Sequence, residues 1–181
     1  NFRYENPQAG RYREHTQFGC ECFGVDTPLG DIELIELARS FITSLGVKDF
    51  KLHINSIGCP HCRARFNKAL KEFAFNNKQQ FCEDCNRRME TNPLRMLDCK
   101  VEKCQKILNA APKLKDYFCE DCRNHFNEVI RLLNEYKIDY VLDENLVRGF
   151  DYYTKTVFEF VCNNIDGNGK TLSIGGGGRY D

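Results

Sequence analysis

The stretch Leu146-Val147-Arg148-Gly149-Phe150-Asp151-Tyr152-Tyr153-Thr154-Lys155-Thr156 decides how this chain is read. A glycine directly after an arginine permits a backbone turn that other residues resist. Two tyrosines then open a run rich in β-branched and aromatic residues, and Tyr152–Cys162 reads as a strand. Residue types alone give Arg148 no more than an ion pair with Asp151 at the rim of a core.

Downstream, Lys170–Ile174 reads as a strand and Gly175–Gly178 as a flexible turn before Arg179-Tyr180-Asp181. That glycine run lacks the Gly-Lys-Ser/Thr ending of a phosphate-cradling P-loop. Upstream, Asp139–Leu142 reads as a further strand. Before it, Phe126, Val129, Ile130, Leu133 and Tyr136 recur at helical spacing and give one helix an apolar face.

Eight of the eleven cysteines fall in pairs: Cys59-x-x-Cys62, Cys82-x-x-Cys85, Cys99-x-x-x-x-Cys104 and Cys119-x-x-Cys122. Short paired spacing favours metal thiolates in a reducing compartment over a secreted disulfide framework. Eight thiols suffice for two tetrahedral four-thiolate zinc sites, structural rather than catalytic because four thiolates leave no open position. The pairing stays open. A sequential arrangement joins Cys59, Cys62, Cys82 and Cys85, then Cys99, Cys104, Cys119 and Cys122. A nested one places Cys82, Cys85, Cys99 and Cys104 inside Cys59, Cys62, Cys119 and Cys122; it is preferred because the inner four lie close in sequence and the outer four would clip the ends of the module. The plain alternative is buried thiols or a redox pair. Cys20, Cys22 and Cys162 read as ordinary strand residues, and His61 and His125 as neighbours of the pairs rather than ligands. Lys68, Lys71, Arg87, Arg88, Arg95 and Lys100 form either a solvated helical face or a surface for phosphates.

At the start of the chain, Asn1–Glu5 and Glu14–Phe23 read as strands joined through Asn6–Gly10. Side chains alternate along a strand, so Arg3 and Glu5 share a face, as do Gln17, Gly19 and Glu21. A hairpin would lay these polar rows together, which is costly unless the rows bind something or face water. Asp31–Leu45 reads as a helix, with Gly46 where its C-terminal cap belongs, and Phe50–Ile57 as another strand.

Twenty-six basic and 26 acidic residues cancel, so any surface for nucleic acid must be local. No apolar run approaches the roughly 20 residues of a membrane span, and no signal peptide is visible. The chain opens at Asn1 within an apparent strand and stops after a glycine-rich run, and is read as an internal piece of a longer protein.

Taken together, these motifs resemble the histidyl-tRNA synthetases. Phe2-Arg3-x-Glu5, its loop and Arg11-Tyr12-Arg13 resemble motif 2 of class II aminoacyl-tRNA synthetases, and Pro7-Gln8-x-Gly10-Arg11-Tyr12-Arg13-x-x-x-Gln17-x-Gly19-x-Glu21 resembles the histidine enzyme specifically. The 146–156 string resembles that family's signature peptide, with Phe150 in place of the usual Leu. Ser173–Asp181 resembles its second signature, in which close-packed glycines floor the amino-acid pocket. The resemblance implies that Arg3 holds the ATP α-phosphate, that Glu5 lies near the adenine and that His15 occupies the position of the family's stacking Phe. It further implies that Gln17 approaches the histidine amino group and that Glu21 accepts a hydrogen bond from the imidazole. Arg148 would bridge the histidine carboxylate and the α-phosphate, with Tyr153 and Tyr180 lining the pocket.

The implied fold is α+β, a class II synthetase antiparallel sheet with flanking helices and a helical, Cys-rich insertion. Residues 1–58 and 138–181 would be two parts of a catalytic core, and 59–137 the insertion. The implied reaction joins histidine to tRNA(His) through histidyl-adenylate, with ATP, Mg²⁺ and one or two structural Zn²⁺, in a cytoplasmic homodimer without membrane attachment. Residues 1–181 alone are expected to be inactive, because motif 1, motif 3 and the anticodon-binding domain fall outside them. Two rivals are a non-catalytic paralogue such as the regulatory subunit of ATP phosphoribosyltransferase and a zinc-knuckle nucleic-acid binder.

Overall fold

A computed structural model describes residues 1–4, 6–7, 12–163 and 171–180. Five α-helices and four strands run in the order α1 (Pro28–Ser44), β1 (Phe50–Ser56), α2 (Pro60–Asn76), α3 (Glu83–Thr91), α4 (Glu102–Leu108), α5 (Glu120–Glu135), β2 (Tyr140–Leu142), β3 (Tyr153–Cys162) and β4 (Leu172–Tyr180) among the described residues. Short 3₁₀ turns at Lys78–Gln80, Pro93–Met96 and Leu114–Tyr117 link the smaller helices.

The sheet order is β2-β1-β3-β4. β3 pairs antiparallel with both β1 and β4, while β2 lies parallel to β1 at the edge. The antiparallel expectation therefore holds for β1, β3 and β4, and the sheet as a whole is mixed. The parallel edge follows from connectivity: β2 arrives after the α2–α5 crossover, long enough to bring a strand back in the same direction.

Side-chain alternation sorts the sheet's faces. Leu52, Ile54, Phe158 and Phe160 face α1 and α5 and form a core with Ile32, Ile35, Val129 and Leu133. α1 begins with Pro28, whose missing N–H costs nothing in a first turn. It ends before Gly46, whose φ of +83° is a left-handed conformation suited to glycine. A second core gathers Cys62, Phe66, Leu70, Cys85, Met96 and Cys104 from the α2–α4 region, and it also takes in Leu146, Tyr153 and Val157 from beside the sheet. Among the described residues no helix is long and apolar enough to cross a membrane.

Two expected elements differ. The Asn1–Glu5 and Glu14–Phe23 hairpin is reduced to one antiparallel bridge, Phe2 opposite Glu14, with Arg3 N–H donating to Arg13 C=O at 2.8 Å. No ladder continues through 16–23; alternation specifies an extended segment but not a neighbour to bond it. Phe18 instead stacks on Phe41 of α1, ring centroids 4.6 Å apart. Glu5, most of the connecting loop and Lys170 lie outside the described residues. The second difference is the glycine run: Gly175–Gly178 is not a turn but the middle of β4.

Candidate active site and two candidate metal centres

β4 can pass close to its neighbours because it has no side chains there. A Cβ on Gly176 would stand 2.7 Å from the Phe158 carbonyl oxygen and 3.0 Å from the Arg148 guanidinium carbon. On Gly177 it would meet the Phe158 ring at 2.8 Å, and on Gly178 the Tyr153 ring at 2.9 Å. These distances exclude alanine without movement, so the glycines form a floor on which Arg148 and Tyr153 lie directly.

Arg148 pairs through Nη1 with Glu159 of β3, not with Asp151. Its Nε is buried and has no hydrogen-bond partner among the described residues. Tyr153 and Tyr180 face one another across the β3–β4 pairing, and Tyr152 packs edge-on to both. Burial and the neighbouring Tyr152 raise the Tyr153 phenol above its ordinary value against the pull of Arg148, with Glu21 adding a smaller push. A hydrogen bond with Glu21 raises Tyr180. Glu21 thus reaches the tyrosines, and the structure brings Arg148, Tyr153, Tyr180 and Glu21 to one place.

The remaining residues singled out in the sequence stand apart. Gln17 is exposed, with no side-chain hydrogen bond to that group among the described residues. Arg3 and His15 lie together in the short pairing at the start of the chain, where His15 N–H donates to Asn1 C=O at 3.0 Å. Arg3 Nε and His15 Nδ1 are both buried without a partner among the described residues. The expected apposition of the Arg3 row with Gln17 and Glu21 does not occur, because the pairing ends at Asn1 and His15. Glu5 lies outside the described residues.

The eight paired cysteines form two groups: Cys59, Cys62, Cys119 and Cys122, and Cys82, Cys85, Cys99 and Cys104. Within each group the sulfurs lie within 4.8 Å of one another. This grouping matches the nested arrangement. The first cysteine of each Cys-x-x-Cys is the N-cap of α2, α3 or α5, and the second lies in the first turn. Backbone donors there face sulfur. Cys59 N–H donates to Cys122 Sγ at 3.2 Å and Cys119 N–H to Cys62 Sγ at 3.1 Å, a reciprocal bond across the outer group. Cys82 N–H donates to Cys104 Sγ at 3.3 Å in the inner one.

A zinc ion with four thiolates at its usual bond length sets its sulfurs ~3.8 Å apart. The Cys59–Cys62 and Cys82–Cys99 sulfurs stand at 3.5 and 3.9 Å. Burial pushes the Cys62, Cys85, Cys104 and Cys122 thiols up. Burial acts the same way on Cys59, but the backbone and thiol hydrogen bonds around it prevail and bring it down to about 7. Four thiolates packed this closely need a cation to ionise together, so the donor set fits a divalent metal. Cys20 and Cys22 lie outside both groups but, against expectation, in no strand, since nothing pairs with their extended segment among the described residues; Cys162 ends β3 as expected.

Sequence reading missed one constellation. Asp31 of α1, 8% exposed, binds His125 Nε2 of α5 at 2.7 Å, the Thr156 hydroxyl of β3 at 2.7 Å and the Arg179 guanidinium of β4 at 2.8 and 3.1 Å. Burial acts to raise the Asp31 carboxyl, yet His125, Thr156 and Arg179 hold it below its ordinary value. Arg179 also donates to the Val25 and Thr27 carbonyls, fastening the segment before α1 to the strand that ends in Tyr180. The supposed phosphate-facing cations are partly occupied. Arg87 pairs with Asp84 and Lys100 with Asp98, while Arg95 donates to the Gly149 carbonyl.

The family model described as histidyl-tRNA synthetase matches residues 1–181. The histidine--tRNA ligase of Caldanaerobacter subterraneus subsp. tengcongensis is 49% identical over 180 residues, 99% of this chain and 42% of the relative. That of Acetivibrio thermocellus is 52% identical, again over 99% of this chain and 42% of the relative. The chain spans about two-fifths of the length of these relatives. Among solved structures, apo S. aureus histidyl-tRNA synthetase is similar with a TM-score of 0.66 at 35% identity, over 87% of this chain and 37% of that one. An ATP phosphoribosyltransferase regulatory subunit/histidyl-tRNA synthetase from Bacillus halodurans is similar with a TM-score of 0.51 at 19% identity, over 87% of this chain and 44% of that one, which speaks for the fold alone.

Proposed function

This chain belongs to the histidyl-tRNA synthetase family, and on that premise we propose that it is the part of a histidine–tRNA ligase that binds histidine and orients it against ATP. The observation that carries the reading is Arg148 lying on the glycine floor of β4, in one group with Tyr153, Tyr180 and Glu21. The guanidinium fork suits two oxygen-bearing groups at once. It would hold the histidine carboxylate and the ATP α-phosphate together and stabilise the charge that builds as carboxylate oxygen attacks phosphorus. Glu21 would accept the imidazole N–H, which selects histidine over apolar amino acids of similar size. Gln17 would meet the amino group. Arg3 would face the α-phosphate, with Glu5 and His15 toward the adenine; the unpartnered Arg3 Nε and His15 Nδ1 fit groups awaiting a ligand.

ATP would enter as its Mg²⁺ complex. Pyrophosphate would leave, and the histidyl group would pass from the adenylate to the 3′ end of tRNA(His). We assign residues 1–58 and 138–181 to the catalytic core and 59–137 to a nested module with two structural Zn²⁺. Cys59, Cys62, Cys119 and Cys122 would hold one ion, and Cys82, Cys85, Cys99 and Cys104 the other. Bound zinc would neutralise the thiolates and cross-link short helices. The intact protein would be a cytoplasmic homodimer.

The test is histidine-dependent ATP–pyrophosphate exchange by the full protein. Arg148→Ala should lower kcat by about 10²–10³-fold, the usual cost of removing one donor to developing charge. Exchange that does not depend on histidine, or an undiminished Arg148→Ala variant, overturns the reading. Elemental analysis of protein purified without chelator should give close to two zinc ions per chain; a value near zero overturns the metal assignment.

A further inference from the structure

The loop that presents Arg148 is gripped by side chains from the cysteine-rich module. Arg63 of α2 donates through Nη1 to the Tyr153 carbonyl at 2.5 Å and to the Asp151 carbonyl at 3.3 Å. Asn92, at the end of α3, donates to the Asp151 carboxylate at 2.7 Å. Arg95, in the 3₁₀ turn Pro93–Met96, donates to the Gly149 carbonyl at 3.0 Å. Below this polar layer, Leu146 and Tyr153 are buried in the same core as Cys62, Cys85 and Cys104.

The position of these three residues gives the grip its meaning. Arg63 follows Cys62 directly. Asn92 and Arg95 lie between Cys85 and Cys99, in the segment that the inner cysteine group closes. Arg63 lies in, and Asn92 ends, a helix whose N-cap is a grouped cysteine, Cys59 and Cys82 respectively, while Arg95 lies in the turn that leads on to Cys99. Four acceptors, three backbone carbonyls and one carboxylate, within the five consecutive residues 149–153 are the attachment points. An isolated surface ion pair contributes little, but four directed bonds on one short loop fix the backbone from which Arg148 projects.

We propose that Arg63, Asn92 and Arg95 are positioning residues for Arg148, and that the cysteine-rich module acts on catalysis by holding the 149–153 loop. The assignment of Arg148 to catalysis rests on the reading above; the mechanical link does not. A displacement of about 1 Å at a reacting group can cost about 10²-fold in rate. Loss of the grip should therefore lower kcat more than it raises KM.

The experiment compares the full protein with Asn92→Ala/Arg95→Ala and Arg63→Ala variants by hydrogen–deuterium exchange and by elemental zinc analysis. The expected result is faster exchange of the amides of residues 148–152, at least tenfold, with the zinc content of the parent and unchanged protection in α5 and β1. Unchanged protection of 148–152 overturns the proposal whether or not the protein proves to be a ligase. Pyrophosphate exchange supplies the second readout: kcat should fall 10- to 100-fold with less than a threefold change in KM for ATP, and Arg95→Lys should recover part of it. Equal kcat in variant and parent, alongside a loosened loop, likewise overturns the catalytic half of the proposal. Variants that lose zinc along with protection show a general unfolding of the module and overturn the specific grip.

Discussion

The two cores of this molecule are built from different materials. Beneath α1 and α5, Ile35, Ile54, Phe160 and Leu133 are almost wholly buried, and the sheet supplies a broad apolar face to pack against. In the cysteine-rich module, α3 has nine residues and α4 seven, too short to persist as isolated helices in water. There the fully buried positions include Cys62, Cys85, Cys104 and Cys122. Where a sheet exists, area stabilises the fold; where short helices meet α2 and α5, the grouped cysteines are placed to supply the cross-links that a small core needs.

The strongest way to break this contrast is to disable the two proposed metal centres. Cys85→Ser, or stripping with a strong chelator, should remove binding energy on the order of 10 kcal/mol that is linked to folding of the module. Circular dichroism should record lost helix, and limited proteolysis should open sites between 77 and 118 while β1, β3 and β4 stay protected. Simultaneous loss of the sheet would mean that the two cores are one cooperative unit.

Phe160→Ala attacks the other core. It should cost about 4 kcal/mol in urea unfolding, the usual size for a fully buried aromatic, with zinc content unchanged. Asp31→Ala is aimed at the junction, since Asp31 joins α1, α5, β3 and β4. Leaving Arg179 and His125 without their buried partner should cost about 3 kcal/mol. Its pH dependence has a definite sign. The folded-state carboxyl lies below its ordinary 3.8, so its contribution is complete above pH ~4 and is lost as pH falls through the depressed value. The parent should lose stability on that acid limb, and Asp31→Asn should flatten it. The smallest effect belongs to Gly177→Ala. Its Cβ would press on the Phe158 ring, at about 1–3 kcal/mol of overpacking, read as a lowered urea midpoint.

Legibility in the sequence followed locality. The Cys-x-x-Cys pairs were plain because a knuckle lies within one helix turn, and α1, α5 and β1 were plain because their apolar periodicity is internal to each segment. Arg148 and the glycine run became meaningful through family resemblance; their spacing alone offered an ion pair and a turn. The run reads as a turn because open space is what glycine usually signals. Here the glycines answer a crowding that only the assembled sheet reveals, between β4, the Phe158 ring and Arg148. Asp31 looked like an ordinary acid in a helix's first turn. Its three partners lie 94, 125 and 148 residues away, and no pattern along the chain could pair them.

The glycine floor limits how the proposed histidine site can diversify. A surface made of backbone offers no side chain to trade; a Cβ at 176 or 178 would collide with Arg148 or Tyr153, and one at 177 with the core ring of Phe158. If the proposed histidine site is right, changes of ligand preference are expected on the side of Glu21, which lies outside the β3–β4 pairing. Libraries built at 17–22 should yield folded proteins with altered preference, while libraries at 176–178 should return the parental glycines.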